Sequence, residues 1–165
     1  MKSRIAIAAL LLLATLSLSA QTPQKSFDAM KTLTGTWTGK SSMGGTLQVS
    51  YRPTSGGSAL LGEIQMEMQG HSEDMISMIH MDGDRLLLTH YCEAGNQPRM
   101  SATASPDGKT ITFNFIDATN LSSPEAGHMH RVVFNFVDAT HHTEDWQFLD
   151  HGKETIAHFD LEKKS

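Results

Sequence analysis

From Gly35 to the C-terminus the chain is a succession of short segments in which apolar and polar residues alternate, each cut off by turn residues. Successive side chains of a strand point to opposite faces, so every such segment carries one apolar and one polar face. Such a pattern hides its apolar faces by forming sheet. The strands expected on this basis span 36–43, 46–52, 58–69, 73–81, 85–92, 99–104, 109–116, 129–137, 143–149 and 154–161. Hairpin chemistry marks several junctions: Asp82-Gly83, Asp107-Gly108 and His151-Gly152, with Gly56-Gly57 after Pro53. No second helix of useful length fits between them. The expectation is all-β, an up-and-down antiparallel barrel of about ten strands, because closing a long meander removes its exposed edges. The longest connection, 118–127, is polar, contains Pro124 and Gly127, and reads as a portal loop.

One short helix precedes the strands. Ser26 is the expected cap, Asp28 falls in the first turn, and Phe27, Met30 and Leu33 recur at helical spacing before Gly35. Two turns are not stable alone, so this helix must pack on something. Upstream, Lys2 and Arg4 precede an apolar run from Ile5 to Leu18 and small residues at Ser19 and Ala20. That order predicts a signal peptide over 1–20 and one domain over 21–165, with export to the periplasm or outside the cell. The run is too short for a convincing membrane span. Cys92, the only cysteine, lies far from the junction, so no lipid anchor is expected there.

Beyond the leader the chain has 11 basic and 18 acidic side chains and no Lys/Arg cluster, which gives no footprint for nucleic acid or an anionic membrane. A single cysteine forms no internal disulfide, and nothing local marks Cys92 as an activated nucleophile.

Alternation also says which residues share an interior. Ile111, Phe113 and Phe115 lie on one face, as do Val132, Phe134 and Phe136, and Ile64, Met66 and Met68. Methionines are abundant here, and flexible thioethers suit an adaptable cavity or an irregular core equally well. The segment from Phe113 to Thr119 is echoed by Phe134 to Thr140, each copy reading as a strand end that runs into an Asp-led turn.

The helix, the run Gly35-Thr36-Trp37-Thr38-Gly39 and the long meander together resemble the calycin superfamily, which includes lipocalins, fatty-acid-binding proteins and the nitrobindin-like haem proteins. The stretches from His90 to Met100 and from Gly127 to His130 look like an uncharacterised family of exported bacterial lipocalin-like domains. The resemblance implies a barrel closed at one end by Trp37, without assigning an activity. In the nitrobindin-like proteins a histidine on the last strand binds haem. His158 stands in a comparable place, but alternation sets it opposite the apolar face formed by Ala157, Phe159 and Leu161, which argues against haem.

The best chemical signal is His128-Met129-His130, two imidazoles two residues apart on a strand, the arrangement of many zinc and iron sites. A divalent metal there would need a third ligand, with His90 first and His142 or Glu144 after it. The alternative is a polar network in which the same rings bond to each other, to Arg99 or to water. Asn96 and Arg99, near the same opening, could fix a ligand's polar head, with Arg99 suited to a carboxylate. The functional expectation is an exported barrel that binds a small, largely apolar molecule, with His90, Asn96, Arg99, Phe113, Phe115, His128, His130, Phe134 and Phe136 as its contacts. The rivals are a metal-dependent enzyme or a metal- or haem-binding protein at His90, His128 and His130, and a structural or partner-binding module with a filled interior. No nucleophile elbow, HExxH helix or phosphate-binding glycine loop supports catalysis.

Overall fold

In the computed structural model, which describes residues 21–68 and 70–164, ten antiparallel strands close into one barrel. The segment expected to be a signal peptide lies outside the described residues. A helix, α1 (Pro23–Lys31), leads into β1 (Gly35–Ser41), β2 (Thr46–Thr54), β3 (Ala59–Met68), β4 (His71–Asp82) and β5 (Arg85–Tyr91). There follow β6 (Gln97–Ala104), β7 (Thr110–Thr119), β8 (His128–Phe136), β9 (His141–Asp150) and β10 (Lys153–Lys163). Each strand pairs with its neighbours in sequence, and β1 pairs with β10, Trp37 opposite Lys163, to complete the ring. This is the up-and-down barrel that the alternation predicts. Among the described residues no helix is long and apolar enough to cross a membrane.

Two local details differ from expectation. The helix begins earlier, because the Thr22 hydroxyl accepts the Lys25 N–H at 3.3 Å and Pro23 occupies the first turn, where it lacks no needed donor. Ser26 is therefore inside the helix and buried. The echoed segments do not end alike. Asp138 does lead a turn, accepting the Thr140 N–H at 2.7 Å, but β7 runs on to Thr119 and Asp117 pairs with Arg99 on its outer face. The β9–β10 hairpin, by contrast, follows its sequence: His151 and Gly152 both adopt positive φ, 48° and 77°, as a two-residue turn of matching twist requires.

The two ends of the barrel are built differently. At the end where β1 begins, α1 sends Phe27 and Met30 into the core, and Leu33 follows them. The Trp37 indole N–H donates to the Leu33 carbonyl at 2.6 Å, which ties the helix exit to the first strand. Above this seal sits Glu144, fully buried. Its Oε1 accepts from Tyr51 Oη at 2.6 Å and from His142 Nε2 at 2.9 Å, and its Oε2 accepts from Trp146 Nε1 at 2.8 Å. Gly62 faces Tyr51 across the β2–β3 ladder, and a Cβ there would lie 2.7 Å from the ring, so glycine is what lets the phenol lie flat and reach across the barrel. Burial, reinforced by the Glu144 charge, holds the Tyr51 phenol well above its ordinary pKa, which keeps it a donor.

Removing the acceptor strands these donors in an apolar interior. Glu144→Ala is expected to destabilise the barrel by about 3 kcal/mol, and Tyr51→Phe by about 1–2 kcal/mol, because unsatisfied buried groups cost roughly that much each. Urea unfolding of the two variants checks both the size and the order.

Candidate functional site

Where the odd-numbered strands end and the even-numbered ones begin, the barrel is hollow. A cavity of about 350 Å³ opens there, at the small end of the range for ligand sites. Its walls carry Met43, Met66, Met75 and Met129, with Trp146, Phe148 and Phe159 among the rings. The strand pairing explains the set: Met129 faces Phe148 across β8–β9, Met75 faces Ile64 across β3–β4, and Ala157 faces Trp146 across β9–β10. Alternation sets the inward side for the others, and a register shift in β8 sets it for Met129.

His90 is the inner polar group of this cavity. It is fully buried, its ring centroid lies 4.8 Å from that of Trp146, and its Nδ1 lies 3.0 Å from Ser77 Oγ, directly opposite on β4. Its Nε2 has no hydrogen-bond partner. If the serine donates to Nδ1, Nε2 carries a proton to give; if Nδ1 donates, Nε2 offers a lone pair. Burial alone pushes the imidazole pKa down to about 4, so the ring is neutral across the physiological range.

The mouth carries opposite chemistry. Glu73 and Glu93 line it, and His71 beside them brings its Nε2 to 3.6 Å from Glu93 Oε2. Ligand atoms of these three residues lie within 4.8 Å of one another, the one such potential metal-binding group found among the described residues. Glu93 is held in place by accepting the Asp74 N–H at 3.1 Å. Cys92 lies between mouth and floor. Burial raises its thiol pKa and the charges of Glu73 and Glu93 add to that, so it is a wall residue and a poor nucleophile.

Other residues singled out from sequence stand elsewhere. His128 and His130 do come together, but not with His90 and not in the cavity wall. The β7–β8 ladder ends at Asn114 opposite Arg131, a bulge in β8 follows between Met129 and Arg131, and Met129 takes the inward place. The two imidazoles pack with Phe115, ring centroids 4.4 and 5.3 Å away, and satisfy each other. His128 Nδ1 donates to the Ala126 carbonyl at 2.8 Å, which leaves its Nε2 to accept from His130 Nδ1 at 3.2 Å. Burial first, and then the nearby His128, hold the His130 pKa below its ordinary value. His142 and Glu144 belong to the buried network beneath the cavity.

Arg99 lies on the outer surface in a two-pronged pair with Asp117, at 2.6 and 2.5 Å, and reaches no ligand space. Asn96 is buried outside this cavity, its amide donating to the Gly127 carbonyl at 2.8 Å and so joining two rim loops, while its Oδ1 has no partner. Phe113 and Phe134 meet edge to face at 5.9 Å within the packed half of the barrel, and Phe136 packs against that core. His158 points outward to Asp145 at 2.6 Å, as its alternation indicates. Cavity residues that sequence did not place at the site include Met43, Glu73, Trp146, Phe148 and Thr155. Glu73-Asp74-Met75-Ile76-Ser77 alternates regularly enough to put Glu73 and Met75 on the same face as Ser77, and only the closure of the ring shows that the face surrounds a void.

No family model matches the chain, and no curated protein matches it. Its structure is similar to the crystal structure of Rv2717c from M. tuberculosis, with a TM-score of 0.61 and 16% sequence identity, over 85% of this chain and 98% of that one. At that identity the likeness shows a shared barrel fold.

The buried His90 has a signature in acid. Its folded-state pKa lies below the ordinary value of 6.5, so the unfolded chain binds the extra proton first and stability falls as the pH drops from about 6.5 towards 4. The loss reaches about 3 kcal/mol for a shift of this size. His90→Gln is expected to flatten that limb of a plot of urea-unfolding free energy against pH.

Proposed function

We propose that this chain is an exported binding protein, of calycin type, whose barrel holds one small and largely apolar molecule in the cavity at its open end. The observation that carries the reading is the contrast between the two halves. The half nearer α1 is filled and sealed, while thioethers and aromatic rings at the other end line open space. Protein interiors ordinarily close such space, since a void deprives the side chains around it of packing partners. His90 Nε2, a buried polar atom of the wall without a partner, supplies the kind of orienting contact that ligand cavities place among apolar surfaces. Export rests on the basic residues, apolar run and small residues of the first twenty positions.

The rival reading, a metal enzyme at His90, His128 and His130, finds no such support: the last two rings are satisfied by each other and by Ala126, and His90 faces a different space.

A neutral fluorescent probe tests the carrier reading. N-phenyl-1-naphthylamine should bind one per chain with enhanced emission. Ala157→Phe, which places a ring in the cavity beside Trp146, should weaken that binding at least tenfold while thermal unfolding stays within a few degrees of the parent. Undiminished binding by a folded Ala157→Phe protein would place the probe outside the cavity and sink the reading.

A further inference from the structure

We infer that the cavity selects an apolar molecule with a cationic head, such as a protonated long-chain amine, and rejects the carboxylate of a fatty acid. The inference rests on the carrier reading and adds the charge of the ligand. Two observations bear on it independently. The first is at the mouth. Glu73 and Glu93 are the charged residues of the cavity lining, and no lysine or arginine is among its described residues. The one arginine that sequence placed near the opening is committed outside, to Asp117. An anionic head entering here meets two carboxylates and no cation, whereas an ammonium meets two acceptors of opposite charge, with His71 beside them. Low-dielectric walls focus that field on the entrance.

The second observation is at the inner end. His90, fully buried and without a partner at Nε2, offers a single neutral hydrogen-bonding site. Nothing there compensates a buried negative charge, so a carboxylate pushed tail-last into the cavity would be stranded. A ligand matched to both ends therefore carries its charge at the mouth, positive, and an apolar or singly hydrogen-bonding body inward. The three donors at the mouth are near enough together to hold a divalent cation as well. Such an ion would reverse the preference by bridging the carboxylates to an anionic head, so the two cases separate cleanly by experiment.

The test compares decylamine, decanol and decanoate as displacers of N-phenyl-1-naphthylamine from the full-length mature protein at pH 8, low salt and with EDTA present. Decylamine should bind roughly tenfold more tightly than decanol, as two partly exposed ion pairs allow, and decanoate more weakly than either. The advantage of the amine should fall to about twofold or less in the Glu73→Gln, Glu93→Gln double variant and in 1 M salt. Retained probe binding in that variant shows that it has folded. Equal binding of the amine and the carboxylate overturns the inference and leaves the carrier reading intact, as does an amine preference that survives in the double variant. A decanoate preference that appears when Zn²⁺ or Mg²⁺ replaces EDTA also overturns it, in favour of a cation site at His71, Glu73 and Glu93. Failure of the probe and of all three displacers to bind is instead the failure of the carrier reading itself.

Discussion

The interior is organised around one carboxylate. Glu144 has no contact with water, so its two oxygens must be satisfied by protein donors, and these come from β2 and from β9 itself: Tyr51, His142 and Trp146. Meeting that requirement sets much of what surrounds it. Tyr51 reaches the carboxylate because Gly62 leaves room, and His142, held by its Nε2, stands edge-on to Trp37 with ring centroids 4.3 Å apart. The indole of Trp146, pinned by its N–H, presents its ring to His90. The cavity thus begins where this network ends, and its inner wall is as fixed as the hydrogen bonds beneath it. A wholly apolar core could fill the same space at similar energy. Directional bonds add a constraint on where each ring lies, which a site that orients a ligand needs.

Much of this was legible in the sequence, and the boundary falls at a definite physical place. Alternation has a period of two and is local, so all ten strands, the inward faces and the outward placing of His158 follow from reading along the chain. The pairing of distant strands is not local. That Tyr51 would meet Glu144, or that Glu73 would stand at an opening beside Glu93, depends on ring closure and on strand stagger, which no short window contains. Bulges matter as much. An extra residue in β8 turns Met129 inward, and strict alternation from Val132 back through His130 and His128 had assigned the inward face to the histidines. Arg99 shows the third kind of miss. Its charge signalled a ligand contact, but an equally available acceptor, Asp117, faced it across the β6–β7 ladder, where exposed opposite charges pair without any further role.

The functional picture rests on a division of labour along the barrel axis. Packing and buried polar bonds occupy the end sealed by α1, while polarizable side chains and one neutral imidazole line the other. Methionine suits such a wall, since its unbranched, flexible chain conforms to differently shaped apolar surfaces at little strain. Rv2717c is similar in fold at 16% sequence identity, so what the likeness shows is the scaffold.

The pairing of β1 with β10 has a consequence for how the molecule comes into being. The first strand finds its second neighbour only in the last strand of the barrel, Trp37 against Lys163. Until then the nascent sheet has two open edges, and the carboxylate of Glu144 waits on a late strand for a phenol made long before. The ring therefore forms in a single late step of high sequence separation, the kind that is slow and strongly cooperative. A barrel of this design keeps both edges unpaired until β10 is in place, and that interval is the one in which wrong strand pairing has most opportunity.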